Sequence, residues 1–166
     1  ARAHQGHITV DSKLGKGSRF DLYLPLLDGQ PASEAYEVKP QKNGTISTIV
    51  LIDDELLILE MASNLLKDAG YDVQMFHNSR QAVEWYRDHW QKVAVIIMDM
   101  IMPDMGGKET WEALRKINPE VAVIVSSGFS VKGDAQKILN DGGRAFLQKP
   151  YRREALLQMV GQVISQ

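Results

Sequence analysis
Four short apolar runs in this sequence each end in polar residues that could do chemistry together. Asp53-Asp54 follow Thr48-Ile49-Val50-Leu51-Ile52. Asp99 follows Val93-Ala94-Val95-Ile96-Ile97-Met98. Ser126-Ser127-Gly128 follow Val121-Ala122-Val123-Ile124-Val125, and Lys149-Pro150 follow Ala145-Phe146-Leu147-Gln148. Three carboxylates brought together repel one another. At ~5 Å and an effective dielectric of ~20, each pair costs roughly 3 kcal/mol. A hard divalent cation relieves that repulsion, and oxygen ligands suit Mg²⁺. The metal would draw phosphoryl oxygens toward a carboxylate nucleophile, so that an acyl phosphate forms on one aspartate. Lys149 can neutralise another phosphoryl oxygen, the Ser127 hydroxyl can bond a third, and Gly128 lets its backbone come close. Charge neutralisation and positioning are most of what phosphoryl transfer requires. Each group alone has a plainer reading: a helix cap, a turn acid, a loop serine, a surface lysine. Their recurrence at four strand ends in order makes coincidence the weaker account.

The elements that must position these groups are legible in the pattern. Continuous apolar runs such as 48–52, 93–98 and 121–125 are what strands buried on both faces look like, which implies a parallel sheet covered by helices on both sides. Residues 71–76 are shorter and alternate, as an edge strand would, and 145–148 form the fifth strand. Helical segments over 55–69, 79–89, 107–117, 131–141 and 152–164 separate them, with Gly70 at a helix stop, Ser130 as an N-cap and Gly142-Gly143 as a terminator. The expected fold is α/β, a flavodoxin-like doubly wound (βα)5 unit with a five-stranded parallel sheet in the order 2-1-3-4-5, plus an N-terminal β-hairpin. Such sheets carry their sites beyond the carboxyl ends of the strands.

The hairpin is read from residues 7–11 and 19–24, which alternate apolar and polar around a Gly-containing turn over 14–18. Residues 28–46 are polar, contain Gly29, Pro31, Pro40 and Gly44, and read as a linker. The expected domains are 1–27, 28–46 and 47–166. Composition adds bounds: 44% apolar and 24% charged residues, a net charge of −2 and no cysteine. These exclude disulfide and thiol chemistry and give no reason to expect nucleic acid or an anionic membrane as partner. The sequence has no run of the ~18 apolar residues a membrane span needs. It begins Ala1-Arg2-Ala3-His4, without Met, and reads as a fragment of a larger protein.

From about Ser47 onward the sequence resembles the receiver domain of response regulators and hybrid histidine kinases. The motifs that carry the likeness are Leu51-Ile52-Asp53-Asp54-Glu55, the run from Met98 to Gly107, Ser126-Ser127-Gly128 and Phe146-Leu147-Gln148-Lys149-Pro150-Tyr151. The resemblance implies that Asp99 is the phospho-acceptor, that Asp54 binds metal directly and Asp53 mainly through water, and that the Ile101 backbone carbonyl is a further ligand. It also matches Ser127 and Phe146 to a hydroxyl and an aromatic switch position, and Lys149-Pro150 to a lysine followed by a cis-proline bond. Residues 1–27 resemble the tail of a histidine kinase ATP-binding domain through His4–Ser12 and Gly15–Pro25; the Asn-rich and earlier Gly-rich motifs are absent, so no ATP binding is expected of this chain.

The implied parent is a hybrid sensor histidine kinase with a C-terminal receiver, located in the cytoplasm or attached there to a membrane. The implied partners are a histidine kinase phospho-donor domain or a histidine phosphotransfer domain. No nucleic acid and no membrane contact are expected of this fragment, and the apolar face of the hairpin is expected to pack on the receiver or to pair with another chain, the latter permitting a homodimer. An aspartyl-phosphate phosphatase would carry a second acid where Ile101 stands, and a flavin-binding module would need a phosphate loop in place of Asp53-Asp54-Glu55. The methionines at 98, 100, 102 and 105 and the tryptophans at 85, 90 and 111 read as packing residues. The histidines at 4, 7, 77 and 89 read as surface residues without ligand spacing. Ile101 and Phe129 are expected at the mouth of the site, where both are bulky enough to exclude the water that would hydrolyse an acyl phosphate.

Overall fold
The computed structural model describes residues 6–23, 25, 47–128 and 133–165. The linker over 28–46, together with Leu24, Phe129 and Ser130, lies outside the described residues. The chain divides into two compact units, one carrying the hairpin and the other everything from Ser47 onward.

In the first unit β1 (His7–Lys13) pairs antiparallel with β2 (Gly17–Tyr23), in register from His7↔Tyr23 to Lys13↔Gly17. Both strands run two residues further toward the turn than alternation alone suggests. The reason is local: Gly15 and Gly17 adopt φ of 75° and 92°, left-handed values that glycine takes without strain and that let the chain reverse within Leu14–Lys16.

The second unit has the expected alternation. In chain order it contains β3 (Thr48–Ile52), α1 (Leu56–Asp68), β4 (Asp72–Phe76), α2 (Ser79–His89), β5 (Val93–Asp99), α3 (Gly107–Ile117), β6 (Val123–Ser127), α4 (Asp134–Asn140), β7 (Ala145–Gln148) and α5 (Arg153–Ile164). A single 3₁₀ turn, Trp90–Lys92, precedes β5. The sheet order is β4-β3-β5-β6-β7 with every pair parallel, the anticipated 2-1-3-4-5 topology. Because the winding reverses between β3 and β5, the ends of those two strands open a crevice between them.

Strand residues alternate between two apolar layers. Val50, Ile52, Ile96, Met98, Val123 and Val125 pack with residues of α2, α3 and α4. Ile49, Leu51, Val95, Ile97, Ile124 and Leu147 pack with α1 and α5. Helix ends follow from short-range chemistry. At the end of α1, Gly70 takes φ 91°, the Gly70 N–H donates to the Lys67 carbonyl, and the Tyr71 N–H donates to the Leu66 carbonyl, which is the Schellman arrangement. Asn78 caps α2 by accepting from the Gln81 N–H at 3.0 Å. Beyond α4, Gly142 takes φ 111° and the Gly143 N–H donates to the Ile138 carbonyl at 2.8 Å. The described α4 is narrower than the expected 131–141, starting after Gly133.

Candidate functional site
Asp53 stands one residue beyond β3, Asp99 is the last residue of β5, and the loop from β7 into α5 supplies Lys149. Parallel register sets their level: Ile52 pairs with Met98, so Asp53 and Asp99 project side by side past the last apolar pair. Carboxylate oxygens of Asp53, Asp54 and Asp99 lie within 4.8 Å of one another, with Asp53 and Asp99 buried and Asp54 exposed. Lys149 Nζ sits between the two buried acids, 2.5 Å from Asp53 Oδ2 and 2.8 Å from Asp99 Oδ2. The other oxygen of each is held by main chain. Asp53 Oδ1 accepts from the Glu55 N–H at 3.1 Å, and Asp99 Oδ1 accepts from the Met100 N–H at 2.6 Å and the Ile101 N–H at 3.3 Å.

Burial pushes the Asp53 carboxyl above its usual range, and the attraction of Lys149 offsets only part of that. Lys149 shows the reverse balance. Burial works against its charge, but hydrogen bonds and charge from Asp53 and Asp99 prevail and raise it. Three carboxylates against one ammonium leave two negative charges in this cluster. That residue of charge, on a set of oxygen donors only, fits a hard divalent cation rather than a soft one.

The other expected residues are placed as follows. Ser127 is buried at the end of β6, and its carbonyl accepts from the Lys149 N–H at 2.8 Å, tying the two loops together. The Lys149–Pro150 bond is cis. Phe146 packs half-buried against the α2/α3/α4 layer. Ile101 is 60% exposed at the rim, and Phe129 lies outside the described residues.

Two residues of the Met98–Gly107 run and one histidine have roles that the sequence reading did not assign. Gly107 is needed because a Cβ there would sit 2.7 Å from Met100 Sδ and 2.8 Å from Met100 Cα, so only glycine lets α3 begin against the Asp99 loop. Asp104 Oδ2 accepts from the Arg80 N–H at 3.1 Å, which fastens the same loop to the start of α2. The Gly doublet at 106–107 was a signal for the first; the second stood in the same run, but nothing in the sequence pointed to its partner on α2. His89, read as a surface residue, stacks on Trp85 with centroids 4.2 Å apart, and its Nδ1 donates to the Trp85 carbonyl at 2.7 Å. Among the methionines, Met98 and Met102 are buried in the core and Met100 and Met105 pack against it.

The response regulator receiver domain family matches residues 49–161. The chain belongs to that family. Among similar proteins, the sensor kinase CckA of Brucella abortus is 29% identical over 168 residues, covering 96% of this chain and 18% of the kinase. LuxN of Vibrio harveyi, an autoinducer 1 sensor kinase/phosphatase, is 26% identical over 181 residues, covering 96% of this chain and 21% of its own length. The chemotaxis protein CheY of Thermotoga maritima is 27% identical over 116 residues, covering 69% of this chain and 95% of that protein. A receiver domain structure from Clostridium thermocellum superposes with a TM-score of 0.68 at 28% identity, covering 72% of this chain and 94% of the other. The chain therefore spans about a fifth of the sensor kinases it matches. It contains a receiver domain of two-component signalling, and that receiver has an acidic pocket suited to a divalent cation. Among the described residues no helix is long and apolar enough to cross a membrane.

Proposed function
We propose that this receiver accepts a phosphoryl group on Asp99 from a phosphohistidine, with Mg²⁺ held by Asp53, Asp54, Asp99 and the Ile101 carbonyl. The observation that carries the reading is the placement of Asp99: buried, beside two further carboxylates, with Lys149 Nζ on its Oδ2. A carboxylate has no proton to give up, so no general base is needed. An Asp99 oxygen bonds to phosphorus as the N–P bond breaks, and the donor imidazole leaves with the bonding electrons. Bound Mg²⁺ would supply charge to the phosphoryl oxygens. Lys149 moves its positive charge to another of those oxygens, and the Ser127 hydroxyl donates to a third. The test is intact-mass and peptide mapping after treatment with acetyl phosphate and Mg²⁺. The expected label lies on Asp99 and is lost in Asp99→Asn; label elsewhere, or label that survives the substitution, defeats the reading.

The likeness to the two sensor kinases extends over 96% of the chain, whereas the likeness to the single-domain CheY takes in 69%. This supports reading residues 1–27 as the closing hairpin of a kinase ATP-binding domain, 28–46 as linker and 47–166 as receiver within a hybrid sensor kinase. The donor is then a histidine of the kinase itself or of a phosphotransfer domain. Ile101, exposed at the rim, supports the idea that the site shields its acyl phosphate. Ile101→Asn with Phe129→Glu should shorten the phosphorylated lifetime ~10-fold, about 1.4 kcal/mol in barrier, measured as decay after the donor is removed.

A further inference from the structure
Three polar side chains form one row across the sheet beneath the site. Asp53 and Asp99 are level, as above, and Asp99 pairs in register with Ser126. The strand residues two positions earlier, Leu51, Ile97 and Ile124, all belong to the α1/α5 layer, so Asp53, Asp99 and Ser126 face that same layer. Residue 126 thus occupies a position where the pattern of buried strands calls for an apolar side chain. It is instead a serine, only 2% exposed, and its Oγ has no hydrogen-bond partner among the described residues. Buried hydroxyls are satisfied in folded proteins with few exceptions, and an exception requires a cause.

A cavity supplies one. It has a volume of about 10 Å³ and is walled by Asp53, Asp99, Ser126 and Tyr151 together with apolar side chains of β3, β5 and α1. That is about the room one water needs, and a water is held only where several polar groups converge. Tyr151, whose phenol lies close enough to feel the charge of Asp53, is a further polar side chain of the wall.

We propose that Ser126 is a positioning residue for the Asp53–Asp99 carboxylate pair, acting through one water bound in this cavity. The water takes one hydrogen bond from or to the Ser126 hydroxyl and donates to a carboxylate oxygen of the pair. Lys149 and the main chain hold those carboxylates at one edge; the water holds them from the cavity, keeping their free lone pairs turned toward the cation. The inference rests on the reading of this cluster as a metal site.

The experiment compares wild type, Ser126→Ala and the isosteric pair Ser126→Thr and Ser126→Val, which differ from each other only in a hydroxyl. Mg²⁺ affinity is measured by calorimetry and thermal unfolding is followed in EDTA. Supporting groups behind metal ligands are worth about 10- to 100-fold in affinity. Ser126→Ala should therefore bind Mg²⁺ about 10-fold more weakly, with Thr restoring most of the loss and Val none. In EDTA the Ala and Val variants should melt below wild type and Thr. Equal Mg²⁺ affinity for Thr and Val overturns the proposal. So does an Ala variant that melts at or above wild type in EDTA, the result expected when an unsatisfied hydroxyl is simply removed. Wild-type protein that binds no Mg²⁺ would instead strike down the metal-site reading, and the unfolding comparison in EDTA would still decide the role of Ser126.

Discussion
The hairpin and the receiver sheet are both built from fully paired strands, yet they bury different amounts. Every residue of β1 is exposed, and in β2 only Asp21 is half-buried. Ile8, Val10, Phe20 and Leu22, which share one face through the pairs Ile8↔Leu22 and Val10↔Phe20, are 56–65% exposed. In β3 and β6 every residue is buried. Strand pairing is complete in both regions, so pairing does not account for the difference. The receiver carries a layer of helices on each face of its sheet; the described residues of the hairpin unit include no helix. Local sequence sets register and turn, while burial requires a second layer. That contrast also governs electrostatics. Among the described residues, it is the receiver that has an interior in which two carboxylates and an ammonium are held out of water.

The sharpest way to break the comparison is to remove the cation from that interior. Lys149→Met leaves Asp53 and Asp99 facing each other, and stability in EDTA should fall by about 3–5 kcal/mol, the usual consequence of orphaning a buried charge. Mg²⁺ should then bind more tightly than to wild type, because a competing positive charge is gone, while phosphoryl acceptance is lost. Chemical denaturation with and without Mg²⁺ checks the first two; stability equal to wild type in EDTA would contradict the first, and Mg²⁺ affinity no higher than wild type the second. Next in size is Leu156→Ala, at a position with no exposure in the α1/α5 layer. It should cost ~2–5 kcal/mol by denaturant titration.

Gly107→Ala should cost about 1–3 kcal/mol, since its Cβ meets backbone as well as the Met100 sulfur. Because Met100 and Ile101 donate to Asp99, the same change should weaken Mg²⁺ binding, which a purely distant packing defect would not do. The smallest effect is expected from Phe20→Ser in the hairpin, within ~0.5 kcal/mol on receiver unfolding, as for surface sites in general. A loss comparable to that of Leu156→Ala would show that the hairpin face is covered by something and would erase the contrast.

Much of this was legible in the sequence because it depends on period and on local backbone chemistry. Continuous apolar runs marked β3, β5 and β6, glycines marked the end of α1 and the hairpin turn, and the polar residues at the strand ends marked Asp53, Asp54, Asp99 and Lys149. These signals are local, and a parallel sheet has few ways to assemble them. The sequence could not show which residue of Ser126-Ser127 faces which layer. That depends on register between β5 and β6, where a shift of one residue exchanges the two faces. Nor could it show that the Asp99 loop is tied to α2 through Asp104, a contact spanning 24 residues of chain. The ammonium of Lys149 reaches Asp99 across 50 residues. Composition and spacing determined which groups would stand at the strand ends. Only the folded sheet, by setting their level, their facing side and what water can reach them, decided the charge balance and cavity that they form.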